Sequence, residues 1–128
     1  MEIFGTGIDI ININRIKLII KKKKLFKKRI FSKKEIIYCE KKKNKDSFYA
    51  KRFAAKEAFS KALGVGISQG LCFNEIEIQN NAKGKPVINI LGKSRKIVEE
   101  IINKKKFKIF LSLSDEISFA IALVIIEI

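Results

Sequence analysis

Histidine is absent from this sequence, proline occurs once, and cysteine only twice, as Cys39 and Cys72. Without histidine there is no His-based catalytic triad and no imidazole-ligated metal. Two cysteines without C-x-x-C spacing make no zinc finger. Any metal chemistry must use oxygen ligands, which favours hard cations of the Mg²⁺ kind. Long apolar runs are missing as well. The C-terminal SFAIALVIIEI is about half the ~20 residues that a membrane-spanning helix needs. The start, MEIFGTGIDII, carries Glu2 and Asp9 where a signal peptide has basic residues and then an unbroken apolar run. Together these absences point to a cytoplasmic protein with no membrane-spanning segment. One proline and seven glycines exclude collagen-like and linker-rich architectures.

Lysine and isoleucine are what the chain has in quantity. Its 128 residues hold 28 Lys+Arg against 13 Asp+Glu, a formal charge of +15. An A+T-rich genome produces the same bias without any partner. The functional reading of the charge is an anionic partner: nucleic acid, a phosphorylated small molecule, an acidic protein or a membrane surface. The length fits one domain, residues 1–128, and 47 % hydrophobic residues suffice for a real core.

Residues 3–10, IFGTGIDI, read as a strand whose two glycines call for close backbone approach. Asn12 and Asn14 offer caps for a helix that ends in the run Lys21–Lys24, and Ser32-x-x-Glu35 is a capping box opening a second helix. Asp46 or Ser47 caps a third, SFYAKRFAAKEAFSKALG, which Gly64 closes. Residues 72–79 alternate, with Glu75 and Glu77 expected on the wet face, and pair with PVINIL as a hairpin across residues 80–85. A helix over residues 93–103 and two closing strands complete an α+β fold, with one long helix on a mainly antiparallel sheet. The last strand is apolar on both faces, as expected of a subunit contact or of a central strand.

Asp9 lies inside an apolar run, so its carboxylate must be paired, hydrogen-bonded or metal-bound. Capping the next helix and pairing with a lysine are the simple readings. Glu57 has small residues on its helix face, which lets other backbone enclose it, and Lys61 stands one turn on. Lys56 points elsewhere and is expected to be solvated. Two carboxylates and a lysine make a coherent site for Mg²⁺ and a phosphate-bearing substrate; a Glu–Lys surface pair is the plainer alternative. The glycines of GVGISQG, Gly64 and Gly66 among them, can offer N–H groups to an anion, although this loop follows a helix instead of opening one.

GIDI at 7–10, RFAAKEAFSKALGVGI at 52–67, GLCFNEIEI at 70–78, NAKGKPVINILG at 81–92 and LSLSDEISFAIALVI at 111–125 occur in this order. Together they resemble the holo-acyl-carrier-protein synthases, the small bacterial type of 4′-phosphopantetheinyl transferase. That resemblance implies transfer of the 4′-phosphopantetheine arm of coenzyme A to a serine of apo acyl carrier protein, releasing adenosine 3′,5′-bisphosphate. It implies Mg²⁺, or Mn²⁺, on Asp9 and Glu57, with Lys61 beside the transferred phosphate. Gly64, Gly66, Lys85, Pro86 and the S-x-S serines Ser112 and Ser114 fall to coenzyme A. Many members carry histidine after that S-x-S; here Asp115 stands there. The serine proton then goes to a carboxylate, Glu57 being the candidate, or to a metal-bound water. A homotrimer with sites between subunits is implied too.

Acyl carrier proteins are acidic; Arg15 matches a family position that meets the carrier, and Ile19, Lys22 and Arg52 are expected to join it in docking one. Lys21–Lys24, Lys27, Lys28 and Arg29 extend that basic region, and Ile19 or Phe26 could fill an apolar contact. The alternative from another class is a small basic nucleic-acid-binding protein. Against it, the ten Phe and two Tyr sit at core-like positions and are not interleaved with basic residues as stacking platforms. Cys39 and Cys72 read as structural.

Overall fold

A strand with glycine at alternate positions can lie against a helix with almost no space between the two backbones, and this contact organises the fold. The computed structural model describes residues 1–65 and 69–128. Strand β1 (Ile3–Asn12) lies against the long helix α4 (Lys45–Leu63). A Cβ at Gly5 would overlap the Ala62 carbonyl oxygen, and one at Gly7 the Ala58 carbonyl oxygen. Two strand residues rise about 6.6 Å and four helix residues about 6 Å, so the two elements keep step while running in opposite directions. Ala54, Ala55 and Ala58 are fully buried in this seam.

Helices α1 (Ile13–Lys22), α2 (Phe26–Ile30) and α3 (Lys33–Glu40) connect β1 to α4. Beyond α4, a 3₁₀ turn at Phe73–Glu75 enters the hairpin β2 (Ile76–Asn80) and β3 (Pro86–Ile90). Helix α5 (Gly92–Ile102) and strands β4 (Lys108–Asp115) and β5 (Phe119–Glu127) follow. The main sheet has the order β1-β5-β4, antiparallel throughout, and β2–β3 form a second antiparallel pair. This is the α+β arrangement expected.

β5 is the central strand. Its Ala120, Ala122, Val124 and Ile126 are buried beneath α4, while Phe119, Ile121 and Leu123 emerge on the outer face at 45, 38 and 39 % exposure. Ile8 and Ile10 of β1 pair with Leu123 and Ile121, so this outer face is apolar across strands. Of the two sequence readings of β5, the central strand is the one that the sheet order shows.

Several local expectations are corrected. Helix α4 begins at Lys45 behind Asn44, which makes no side-chain cap. Ser47 cannot cap because its hydroxyl donates to Asp115 Oδ2 at 2.8 Å. Residues 73–75 turn instead of extending, which breaks the alternation read for 72–79. Neither acidic residue faces water freely. Glu77 is buried and accepts from Gln79 Nε2 at 2.6 Å. Glu75 accepts from Ser94 Oγ at 2.8 Å, and its carboxylate occupies the space that a Cβ on Gly92 would need. It sits at the N-terminus of α5, where negative charge is favoured.

Lys56 is buried, not solvated. The sheet covers one side of α4, while α3 and the β2–β3 hairpin cover the other, so this helix has no fully wet face. The Ser32–Glu35 capping box is present with both of its bonds. Cys39 is buried and its thiol is pushed up to about 12 by that burial, so it stays protonated and inert.

Candidate functional site

Gly5 and Gly7 press β1 onto α4, which brings Asp9 to the Glu57–Lys61 segment of the helix. Asp9 pairs across the sheet with buried Ala122, so its side chain lies on the helix-facing side. Lys61 Nζ donates to Asp9 Oδ1 at 3.2 Å and to the Ile8 carbonyl at 3.0 Å. The lysine side chain is 56 % exposed and that of Asp9 16 %, so the pair lies at a rim with its carboxylate turned inward. Glu57, one helical turn before Lys61, is half-buried. Burial raises its carboxyl above the ordinary 4.5, the Asp9 carboxylate adds to the rise, and Lys61 and Arg15 oppose it. Arg15 is brought near by α1, whose first turn is capped where Asn12 Oδ1 accepts from Arg15 N at 3.1 Å.

Two partly buried carboxylates that repel each other, with an exposed lysine on one of them, are what a divalent cation relieves. Among the described residues no group of three or more His, Cys, Asp or Glu gathers to enclose a metal. Mg²⁺ needs less: one or two carboxylates, with water and substrate phosphate completing its shell. The all-oxygen donor set fits it.

A pH dependence follows. Native Glu57 holds its proton more tightly than the unfolded chain does, so between pH 4.5 and the raised value the native state binds more protons. Stability of the metal-free protein therefore falls as pH rises through that window. Glu57→Gln removes this slope. In EDTA the variant should melt above the wild type at pH 7, with the gap closing toward pH 4; equal melting temperatures across the range would refute the assignment.

The other expected site residues are spread more widely. Gly64 ends α4 with φ +79°, and its N–H already bonds to the Ser60 and Lys61 carbonyls, so it has no free N–H to offer an anion. Gly66 lies outside the described residues. Lys85 and Pro86 lie at the β2–β3 turn, where Asn81 Oδ1 accepts from Lys85 N at 3.0 Å. Ser112 and Ser114 pair with Leu123 and Ile121, which puts them on the outer face of the sheet, opposite Asp9. One chain alone does not bring them to the carboxylates.

Arg15 and Lys22 are exposed on one face of α1. Ile19 there is half-buried, and the more open apolar residues are Leu18 and, just beyond, Leu25. Phe26 packs on Phe31 and Phe53, at 6.4 and 6.0 Å between ring centroids, and is not free to fill a partner contact. Arg52 is corrected outright: at 3 % exposure it is closed to a docking protein. Its guanidinium stacks 4.3 Å over the Tyr38 ring and donates to Asn80 Oδ1 at 3.0 Å. Its Nε has no partner among the described residues. Arg52 lines a cleft of about 210 Å³ with Lys34, Tyr38 and Asn80. The one hint in the sequence was an arginine and a lysine four apart on one face of the helix.

Comparison with known proteins covers nearly the whole chain. The family described as the 4′-phosphopantetheinyl transferase superfamily matches residues 5–122. The holo-[acyl-carrier-protein] synthase of Pelagibacter ubique is 45 % identical over 127 residues, covering 99 % of this chain and 98 % of the relative. That of Buchnera aphidicola is 48 % identical over 128 residues, covering 99 % of each. The crystal structure of the Helicobacter pylori synthase in complex with coenzyme A superposes with a TM-score of 0.79 at 36 % identity, covering 95 % of this chain and 99 % of that one.

Proposed function

The chain belongs to the 4′-phosphopantetheinyl transferase superfamily, and from that premise we propose that it is a holo-acyl-carrier-protein synthase. It moves the 4′-phosphopantetheine arm of coenzyme A onto a serine of apo acyl carrier protein. The serine Oγ forms a bond to the phosphorus bearing the arm. The bond from that phosphorus to the bridging oxygen breaks, and adenosine 3′,5′-bisphosphate leaves. The observation that carries this reading is the meeting of Asp9, Glu57 and Lys61 at one rim, in a chain similar to such synthases along nearly all its length. The catalytic unit is one domain, residues 1–128.

Asp9 and Glu57 would hold Mg²⁺, or Mn²⁺ in its place, which when bound supplies Lewis-acid polarisation of the coenzyme A diphosphate. Lys61, anchored on the Ile8 carbonyl, offsets the charge that develops on the bridging oxygen. A Glu57 carboxylate oxygen, or a water held beside it, takes the serine proton. Asp115, where many relatives have histidine, is bound by Ser47 and by Lys51 at 3.4 Å. It therefore serves to brace β4 against α4. Lys85 and Pro86 contact the nucleotide from the hairpin turn.

Arg15 and Lys22, with Leu18 between them, form the dock for the acidic carrier, and the surrounding lysines steer its approach. The apolar outer face of the sheet fits contact between copies of this chain in a trimer. Ser112 and Ser114 then reach coenzyme A at a site completed by a neighbouring copy. No described helix is long and apolar enough to cross a membrane, and the free cysteines suit the reducing cytoplasm in which we place the enzyme.

Mass spectrometry of apo acyl carrier protein incubated with this protein, coenzyme A and Mg²⁺ tests the reading. The carrier should gain the mass of one phosphopantetheine, and EDTA should abolish the gain. Light scattering on the same enzyme should give about three times 14.7 kDa. No gain on any acidic carrier, from a folded protein, would sink the transferase assignment.

A further inference from the structure

Beside Glu57, and roughly 100° further round the helix, Lys56 buries an ammonium whose three N–H bonds are all taken. They go to Glu35 Oε1 at 2.8 Å, to the Phe73 carbonyl at 2.7 Å and to the Ile76 carbonyl at 2.5 Å. Glu35 is equally saturated. Its Oε1 also accepts from Ser32 N at 2.8 Å, and its Oε2 accepts from Ile78 N at 3.0 Å. Neither side chain has any exposure. One ion pair thus joins the catalytic helix, the first turn of α3 and the base of the β2–β3 hairpin.

A buried ion pair is a poor way to gain stability, because apolar residues of similar volume often do as well or better. What it supplies is direction. Apolar packing lets elements slide, whereas an ammonium fixed on the carbonyls at both ends of a 3₁₀ turn sets the angle at which the hairpin leaves the helix. From Ile76, whose carbonyl the ammonium holds, to the turn, the rise of about 3.3 Å per residue makes a lever of roughly 15 Å. A tilt of about 5° at its base therefore moves Lys85 by roughly 1 Å, an error that can cost about 100-fold in rate.

We propose that the Lys56–Glu35 pair is a positioning device for coenzyme A: it fixes the hairpin carrying Lys85 relative to the helix carrying Glu57 and Lys61. Identical copies repeat the same angle, so this holds whether the turn serves its own helix or a neighbour's. The inference rests on the transferase reading above and on the nucleotide contact placed at Lys85.

The test replaces the pair by neutral residues of similar size, Glu35→Gln with Lys56→Met, in the full chain. Lys56→Met alone leaves a buried carboxylate unpaired and is prone not to fold; the double variant avoids this. Circular dichroism and light scattering should match the wild type. The dissociation constant for coenzyme A by calorimetry, and its KM, should rise at least tenfold, while the KM for the carrier protein changes less than twofold. Glu35→Gln alone strands the buried Lys56 ammonium without its counter-charge and is equally prone not to fold. A folded double variant with unchanged coenzyme A affinity overturns the proposal, as does an equal rise in both KM values, which marks general loosening. If the wild type neither binds coenzyme A nor modifies the carrier, the transferase reading itself fails, and this inference with it.

Discussion

Glutamine in place of Glu57 should lower kcat for transfer to the carrier by about 10³-fold or more, with the protein still folded. Two losses combine. The amide cannot take the serine proton, and proton transfer by a positioned side chain is worth about 10²–10⁴. It is also a weaker ligand for a hard cation than the carboxylate it replaces. Because the amide is neutral, it escapes both the burial and the repulsion from Asp9 that raise the Glu57 carboxyl, so stability should hold or increase. The signature is therefore activity falling while the melting temperature does not. Rapid-quench single turnover, which separates chemistry from binding, checks this; a drop under tenfold would remove Glu57 from the reacting centre.

Alanine at Gly7 should do the opposite, damaging fold and activity together. Its Cβ meets the Ala58 carbonyl oxygen and Ala62 N, both backbone atoms of α4. No rotamer change can make room, so β1 must lift from the helix, and Asp9 moves with it away from Lys61. Overpacking against side chains costs about 1–3 kcal/mol. Here the obstacle is rigid, and we expect a loss of about 3 kcal/mol or more in urea unfolding. Gly64→Ala is the control. Nothing lies within 4 Å of that position, and only its φ of +79° opposes a side chain, so a loss of about 1 kcal/mol is expected. Equal losses at the two sites would mean that the seam between β1 and α4 yields more easily than its geometry indicates.

Much of this was legible along the chain. Gly5-x-Gly7 announced close backbone contact, Ser32-x-x-Glu35 announced a helix start, and the spacing of Glu57 and Lys61 put both on one helix face. What the sequence could not convey was the surroundings of α4. Lys56 and Arg52 look like ordinary surface cations until α3 and the hairpin close over them. Their partners, Glu35 and Asn80, stand 21 and 28 residues away. Glu77 misled for a related reason: alternation rightly sets it opposite Ile76 and Ile78, but this part of β2 is buried on both faces. Short-range pattern reports what a segment can do alone, and burial of charge is decided by what arrives from elsewhere.

The pairing of β1 with β5 alone bears on how the molecule is made. Asp9 lies on a strand synthesised long before its partner, since every ladder bond that β1 makes is to β5, with Gly7 opposite Val124. Closing so long a loop is slow, because its entropy is lost before the contact repays it. Until β5 leaves the ribosome, β1 has only helix packing to hold it, and the carboxylate pair has no fixed separation. Competence for metal and coenzyme A is therefore acquired late, after the helices and the hairpin have had time to assemble.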